Sequence, residues 1–186
     1  MEENAKDHLL TDPLLEHRKI FIFGGIDQEK AEKVCRSLAY LDSVSNEDIT
    51  IMINSPGGHV ESGDSIHDMI KFVTSKVIII GTGYVASAGT HIYLAAEKCN
   101  RYALPNTRFM IHQPSGGSQG QVSDILIQME EISKMKRRIA KVISDATGQD
   151  MEKVLEDIDR DHWMTAQEAV DYGIVNEIIE SQQQLT

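Results

Sequence analysis

The sequence predicts an α/β domain built on a largely parallel sheet, and three observations carry that reading. Apolar runs of strand character alternate with segments whose apolar residues recur at helical spacing. One run, Val77–Ile80, is β-branched throughout, as a strand buried on both faces should be. Glycine pairs, Gly24-Gly25 and Gly57-Gly58, follow strand-like runs where the chain must turn into a helix.

The elements follow in order. Lys19–Phe23 reads as a strand, with Ile20 and Ile22 alternating with Phe21 and Phe23. Asp27 is placed to cap a helix whose Ala31, Val34, Cys35, Leu38 and Leu41 share one face. Ile49–Ile53 is a second strand, ended by Ser55-Pro56-Gly57-Gly58, and a helix with Ile66, Met69, Ile70 and Val73 on one face follows. The Val77–Ile80 strand leads into a helix at Ser87, and short strands are expected at Arg101–Ala103 and Phe109–Ile111. The longest helix runs from Val122 to Thr147, with Gly148 as terminator. It exceeds what a small domain needs, so it is expected to project or to pack against another subunit. Thr165-Ala166-Gln167-Glu168 is a capping box, and Gly173 closes that helix. Residues 1–17 read as a mobile or partner-dependent arm interrupted by Pro13, residues 18–180 as the domain, and residues 181–186 as a frayed tail.

Bulk properties narrow the function. The chain has 186 residues, 41% apolar and 25% charged, and a net charge of −11. That charge opposes nucleic-acid binding. Lys136, Arg137 and Arg138 form the only basic run, on a helix behind Glu130 and Glu131. Two cysteines, Cys35 and Cys99, in a chain able to build its own core point to a reducing compartment, and no apolar signal core opens the sequence, so a cytoplasmic location is expected. Val77–Ala96 lacks charged residues, yet its three glycines, with Thr82, Ser87, Thr90 and His91, make it a poor membrane helix. None of the seven histidines forms a His-Glu-x-x-His pair, no cysteine pair has zinc spacing, and no glycine run makes a nucleotide fingerprint, so no metal and no cofactor is expected.

The chemistry concentrates in a few places. Ser87 sits between Ala86 and Ala88, flanked by Gly83 and Gly89, at a strand-to-helix junction where a substrate carbonyl can approach and free N–H groups are available. Gly58, at the start of the preceding helix, is a second candidate N–H donor. His112 ends a strand 25 residues after Ser87 and suits a general base. Its orienting carboxylate would be Asp161, 49 residues on, but Glu156, Asp157 and Asp159 compete and spacing does not choose. Gly116-Gly117 reads equally as an edge strand for an extended peptide or as a plain connection.

These motifs resemble the ClpP family, the proteolytic subunits of ATP-dependent Clp proteases. The likeness rests on Ile53-Asn54-Ser55-Pro56-Gly57-Gly58, Ala86-Ser87 with Gly89, Met110-Ile111-His112-Gln113-Pro114 with Gly116-Gly117, and Arg160-Asp161 before Tyr172-Gly173. The resemblance implies a crotonase-like α/β subunit with a protruding handle, residues 113–147, stacking into two seven-membered rings. It implies Ser87 as nucleophile, His112 as base, Asp161 as orienter, and Gly58 and Ala88 as oxyanion donors. It also implies a substrate-pairing strand at Gly116-Gly117 and a ring–ring contact at Arg160. An AAA+ unfoldase such as ClpX, ClpA or ClpC would feed unfolded proteins to the chamber, and ATP would be used by that partner alone.

Three departures from the family pattern shape further expectations. Ala88 stands where the family usually has Met, which changes the pocket floor. His59 follows the glycine pair and is expected to border the cleft and make activity pH-sensitive. Thr50 and Met52 occupy positions that are often aromatic and grip the unfoldase, while Phe72 is a retained aromatic. A homomeric ring is therefore expected to dock weakly, with a sister subunit supplying the stronger face. Two alternatives remain at this point: a crotonase-type acyl-CoA enzyme and a non-catalytic ring subunit.

Overall fold

In the structure, a computed structural model that describes residues 13–117 and 119–185, one seven-stranded sheet organises the chain. β1 (Lys19–Phe23), β2 (Ile49–Ser55), β3 (Val77–Ala86), β4 (Arg101–Ala103) and β7 (Glu177–Ile178) lie side by side and parallel. β5 (Arg108–Ile111) pairs in parallel with the far half of β3, and β6 (His162–Thr165) pairs antiparallel with β5. Helices α2 (Gln28–Val44), α3 (Val60–Phe72) and the short α4 (Ala88–Tyr93) pack together over one face. Burial alternates strictly along β2, with Ile49, Ile51, Ile53 and Ser55 turned into that core. The α/β expectation holds.

β3 differs from its expected length. Four residues were legible as strand, but it runs ten, because it changes partner midway. Its first half pairs with β4 (Ile79 with Arg101) and its second half with β5 (Tyr84 with Arg108, Ala86 with Met110). The glycines that resemble a loop are packing devices. A Cβ on Gly81 would lie 3.0 Å from Phe109 Cζ, and Gly83, at φ +62°, would put one 2.7 Å from Asn54 Nδ2.

The long helix, α5 (Val122–Thr147), has the expected bounds and spans about 39 Å at 1.5 Å per residue. Only Ala140, Ile143 and Thr147, all in its second half, are buried. Val122, Leu126, Ile127 and Met129 are exposed, so the first half projects from the subunit. Its base is fastened by Arg101, a buried side chain whose Nη2 donates to Ala146 O at 2.7 Å, and it ends at Gly148 in the left-handed conformation (φ +81°).

The described residues at both ends carry short local structure. Pro13–Glu16 forms a helical turn, α1, that buries Leu15; residues 1–12 of the expected arm lie outside the described residues. Pro13 opens this turn, a position where its missing N–H costs nothing. The tail closes in a 3₁₀ turn, Gln182–Gln184, whose Gln184 Oε1 accepts from the Glu180 and Ser181 N–H groups, and Leu185 packs beside Ile80, Tyr102 and Ile179. After α6 (Met151–Asp157) and β6, α7 (Ala166–Tyr172) carries the expected capping box. Both cysteines are free thiols, and among the described residues no helix is long and apolar enough to cross a membrane.

Candidate active site

Strand register turns three distant residues into neighbours. β3 and β5 pair Ala86 with Met110, and the Ser87 N–H donates to Met110 O at 2.9 Å, so Ser87 and His112 leave adjacent parallel strands at the same end. β5 and β6 pair Ile111 with His162, which sets Asp161 beside His112. The side chains meet accordingly. His112 Nε2 lies 2.8 Å from Ser87 Oγ, and His112 Nδ1 lies 3.0 Å from Asp161 Oδ1.

The competing carboxylates are occupied elsewhere. Asp157 accepts from Lys153 Nζ at 2.5 Å and Tyr172 OH at 2.7 Å. Burial alone would raise its carboxyl, but those two donors hold it below the usual range. Asp159 accepts from Gln113 Nε2 and Lys136 Nζ. Among the four acids, the carboxylate that reaches His112 is that of Asp161.

Ser87 is held in a strained backbone conformation, φ +57° and ψ −122°. It precedes α4 but makes no side-chain cap bond, so its hydroxyl is free to face His112 rather than the helix. Thr90, which motif reading did not single out, and Gly57 of the glycine pair secure this turn. Thr90 Oγ1, buried, lies 2.8 Å from both Val85 O and Met110 O and ties the strand pair to α4. Gly57 packs on Ser87 itself: a Cβ there would lie 2.6 Å from Ser87 Cβ. The Ser55 hydroxyl shapes the same turn, donating to Gly24 O at 2.7 Å and accepting from Gly57 N–H at 3.1 Å.

Gly58 is a glycine for a reason other than ligand access. At φ +151°, a Cβ would come within 2.2 Å of Ile26 O. Ile26 uses the Gly57 carbonyl and the His59 N–H, so the Gly58 N–H points to the opposite edge of this parallel bridge. Ala88 opens α4, and its N–H has no helical acceptor. Ala88 also packs on α3, where a Cβ on Gly63 would lie 3.2 Å from its own.

Other expected positions fall as follows. The cavity beside Ser87 is bordered by Val60 and not by His59. The His59 ring caps α3 instead, with Nδ1 accepting from the Ser62 N–H at 3.3 Å and Nε2 3.3 Å from Glu61 Oε2. Residues 112–117, including Gly116 and Gly117, form no strand within the subunit, and both glycines are exposed. Phe72 is 81% exposed, whereas Met52 is half-buried against the cluster of Ile80 and Tyr102. Phe21 and Phe23, on the neighbouring strand, are exposed on the same side as Met52, with ring centroids 5.6 Å apart. Arg160 extends into solvent with its side chain 93% exposed.

A serine hydroxyl, an imidazole and a carboxylate in this order form the relay of acyl-transfer hydrolases, in which the imidazole accepts the hydroxyl proton. Comparison with known proteins agrees with that chemistry. The Clp protease family model matches residues 2–182. The ATP-dependent Clp protease proteolytic subunit 3 of Rhizobium etli is 59% identical over 91% of this chain and 87% of its own length. The proteolytic subunit 2 of Pseudomonas aeruginosa is 53% identical over 95% of this chain and 88% of its own. Among solved structures, ClpP1 from Listeria monocytogenes is 54% identical with a TM-score of 0.86, covering 95% of this chain and 99% of its own. These relatives leave the acyl-CoA and non-catalytic readings without support. The chain belongs to the Clp protease family, as a serine-type endopeptidase subunit.

Proposed function

We propose that Ser87 attacks the scissile carbonyl of unfolded polypeptides, with His112 as general base and Asp161 as its orienting carboxylate. His112 takes the Ser87 proton on Nε2 while its Nδ1–H donates to Asp161, which stabilises the imidazolium. The tetrahedral oxyanion accepts from the Gly58 and Ala88 N–H groups. Because α4 is only six residues long, this help comes from the N–H groups themselves rather than from a long helix dipole. His112 then protonates the leaving amine, and water releases the acyl group by the same relay. Neither metal nor cofactor enters these steps.

The extended substrate pairs with the exposed backbone at Gly116 and Gly117. The projecting half of α5 buries its apolar side chains against other subunits in two stacked heptameric rings, homomeric or mixed with a sister subunit, and Arg160 lies at the ring–ring contact. An AAA+ unfoldase, of the ClpX, ClpA or ClpC kind, docks on the face carrying Phe72 and Met52 and uses the ATP. Phe21 and Phe23 add aromatic surface beside Met52, which offsets the missing aromatics at Thr50 and Met52. The particle is cytoplasmic.

The observation that carries this reading is the Asp161–His112–Ser87 chain at 3.0 and 2.8 Å around a strained serine. A fluorophosphonate probe tests it. The purified particle should become labelled at Ser87, and Ser87→Ala should lose both label and peptidase activity. Full peptidase activity in Ser87→Ala would overturn it.

A further inference from the structure

A small cavity, about 30 Å³, opens beside the relay. Ser87, Ala88 and His112 border it on one side, Ile139 and Ile143 of α5 on the other. Most of its wall is apolar, but His91, one turn into α4 after Ser87, also lines it. The His91 side chain is 7% exposed, and its Nδ1 has no hydrogen-bond partner among the described residues. Buried polar atoms without partners are rare in folded proteins, and each asks for a reason.

The ring is not free to turn away. Its Nε2 lies 2.9 Å from Asp64 Oδ1, and its face stacks on His67 with centroids 4.5 Å apart. Asp64 is held in turn by Arg138 Nη1 of α5 at 2.6 Å. Burial would raise the Asp64 carboxyl, but His91 and Arg138 keep it well below its ordinary value, so it is ionised. A bare Nε2 lone pair cannot sit 2.9 Å from a carboxylate oxygen, so Nε2 carries the proton. That leaves Nδ1 as the unused hydrogen-bonding atom of a fixed ring, one helical turn from the attacking hydroxyl.

We infer that His91, fixed by Asp64 and Arg138, sets the side-chain preference of the cavity beside Ser87 and favours a primary amide, glutamine or asparagine, in the residue before the scissile bond. The amide carries both a donor and an acceptor, so it satisfies Nδ1 in the neutral ring and in the charged one. An aliphatic side chain in the same place would leave Nδ1 unpaired and newly sealed from water. Sites built around such a polar atom discriminate against ligands that lack its partner more strongly than purely apolar pockets discriminate by size. This inference rests on the catalytic reading of Ser87 given above.

The test uses the assembled particle and two peptidyl diphenyl phosphonates that differ only in a glutamine-like or leucine-like side chain before phosphorus. Ser87 Oγ bonds to phosphorus and phenoxide leaves, taking up the proton released from the hydroxyl as phenol. Intact-mass measurement gives the labelling rate for each probe. The parent should react faster with the glutamine probe, and His91→Phe should lower the glutamine-to-leucine rate ratio by about tenfold. Arg138→Met, at a half-exposed side chain outside the cavity, should lower the ratio in the same direction and serves if His91→Phe does not fold. A ratio within about twofold of the parent in both variants, or a parent that favours leucine, overturns the inference and leaves the catalytic reading standing. Failure of both phosphonates and of a simple fluorophosphonate to label Ser87 overturns the catalytic reading itself.

Discussion

Asp161→Asn should slow peptide hydrolysis by about 30- to 150-fold, a smaller loss than a buried orienting carboxylate would give. The imidazolium formed during attack stands 3.0 Å from Asp161 Oδ1. At that distance a unit charge pair is worth about 1.4 kcal/mol in bulk water and about 5.5 kcal/mol at an effective dielectric near 20. Asp161 is 62% exposed and His112 24%, which pulls the value toward the lower bound, to about 2–3 kcal/mol. Each 1.36 kcal/mol is tenfold in rate, which gives the range above. Asp157→Asn is the matched control. Its carboxylate is engaged by Lys153 and Tyr172, so that change should lower stability and leave the rate within about threefold. The assay is kcat/KM on a fluorogenic peptide, normalised by Ser87 labelling. If Asp161→Asn stays within threefold of the parent, or Asp157→Asn loses as much, the assignment drawn from the β5–β6 register is wrong.

Three further outcomes follow from single contacts. Gly57→Ala places a Cβ 2.6 Å from Ser87 Cβ and 2.9 Å from Ala88 N at φ +89°, so it should cost about 2–5 kcal/mol in urea denaturation and slow Ser87 labelling; parent-like values in both would remove Gly57 from the site. Hydrogen bonds from the Ser75 and Thr74 N–H groups lower the Asp42 carboxyl to about 2. A depressed carboxyl stabilises the fold above its unfolded value near 3.9 and loses that contribution as pH falls toward 2, so the stability gap between parent and Asp42→Asn should be constant above about pH 5 and shrink below about pH 4. An equal gap at pH 6 and pH 2.5 would contradict this. His59→Val removes the cap of α3 and should cost about 1 kcal/mol without changing the Ser87 labelling rate or its pH profile; a displaced profile would restore His59 to the cleft.

Much of the site was legible because its groups sit in short motifs with a single physical demand. Ser87 among small residues, the glycine pair after β2 and His112 at a strand end each kept their place in three dimensions. Spacing alone named Asp161 without ranking it, because four acids within six residues look alike until strand pairing separates them. His59 misled for a related reason. A residue beside a glycine turn was expected to face the ligand, but it also stands one residue before α3, where its ring satisfies a helix N–H. β3 was cut short because Gly81 and Gly83 read as turn residues, whereas their bare Cα positions admit the Phe109 ring and the Asn54 amide. His91 and Thr90 carried no motif at all. Their roles come from lying one turn beyond Ser87, a distance that becomes meaningful only once α4 is known to start there.

The least secured part of the relay lies at Asp161. Ser87 is fixed by a buried threonine, two strands and a packed glycine, all inside the core. Asp161 is held by the end of one short antiparallel pair, and its side chain is mostly in solvent. Beyond buried Ile158, the neighbouring turn is tied back by Gln113 Nε2 to Asp159 O at 2.8 Å, by the Gln113 N–H to Ile158 O, and by Lys136 of α5 to Asp159 at 3.4 Å. Two elements that meet other subunits in the proposed particle, α5 and the turn carrying Arg160, therefore border the weakest joint of the catalytic chain. A joint with so few buried contacts has a low local opening free energy. Packing α5 and Arg160 against neighbours would raise that energy at the place where the core does not. Peptidase activity per labelled Ser87 should then rise with particle assembly. Activity that stays constant across a dilution series in which the particle dissociates would show that the subunit aligns Asp161 unaided.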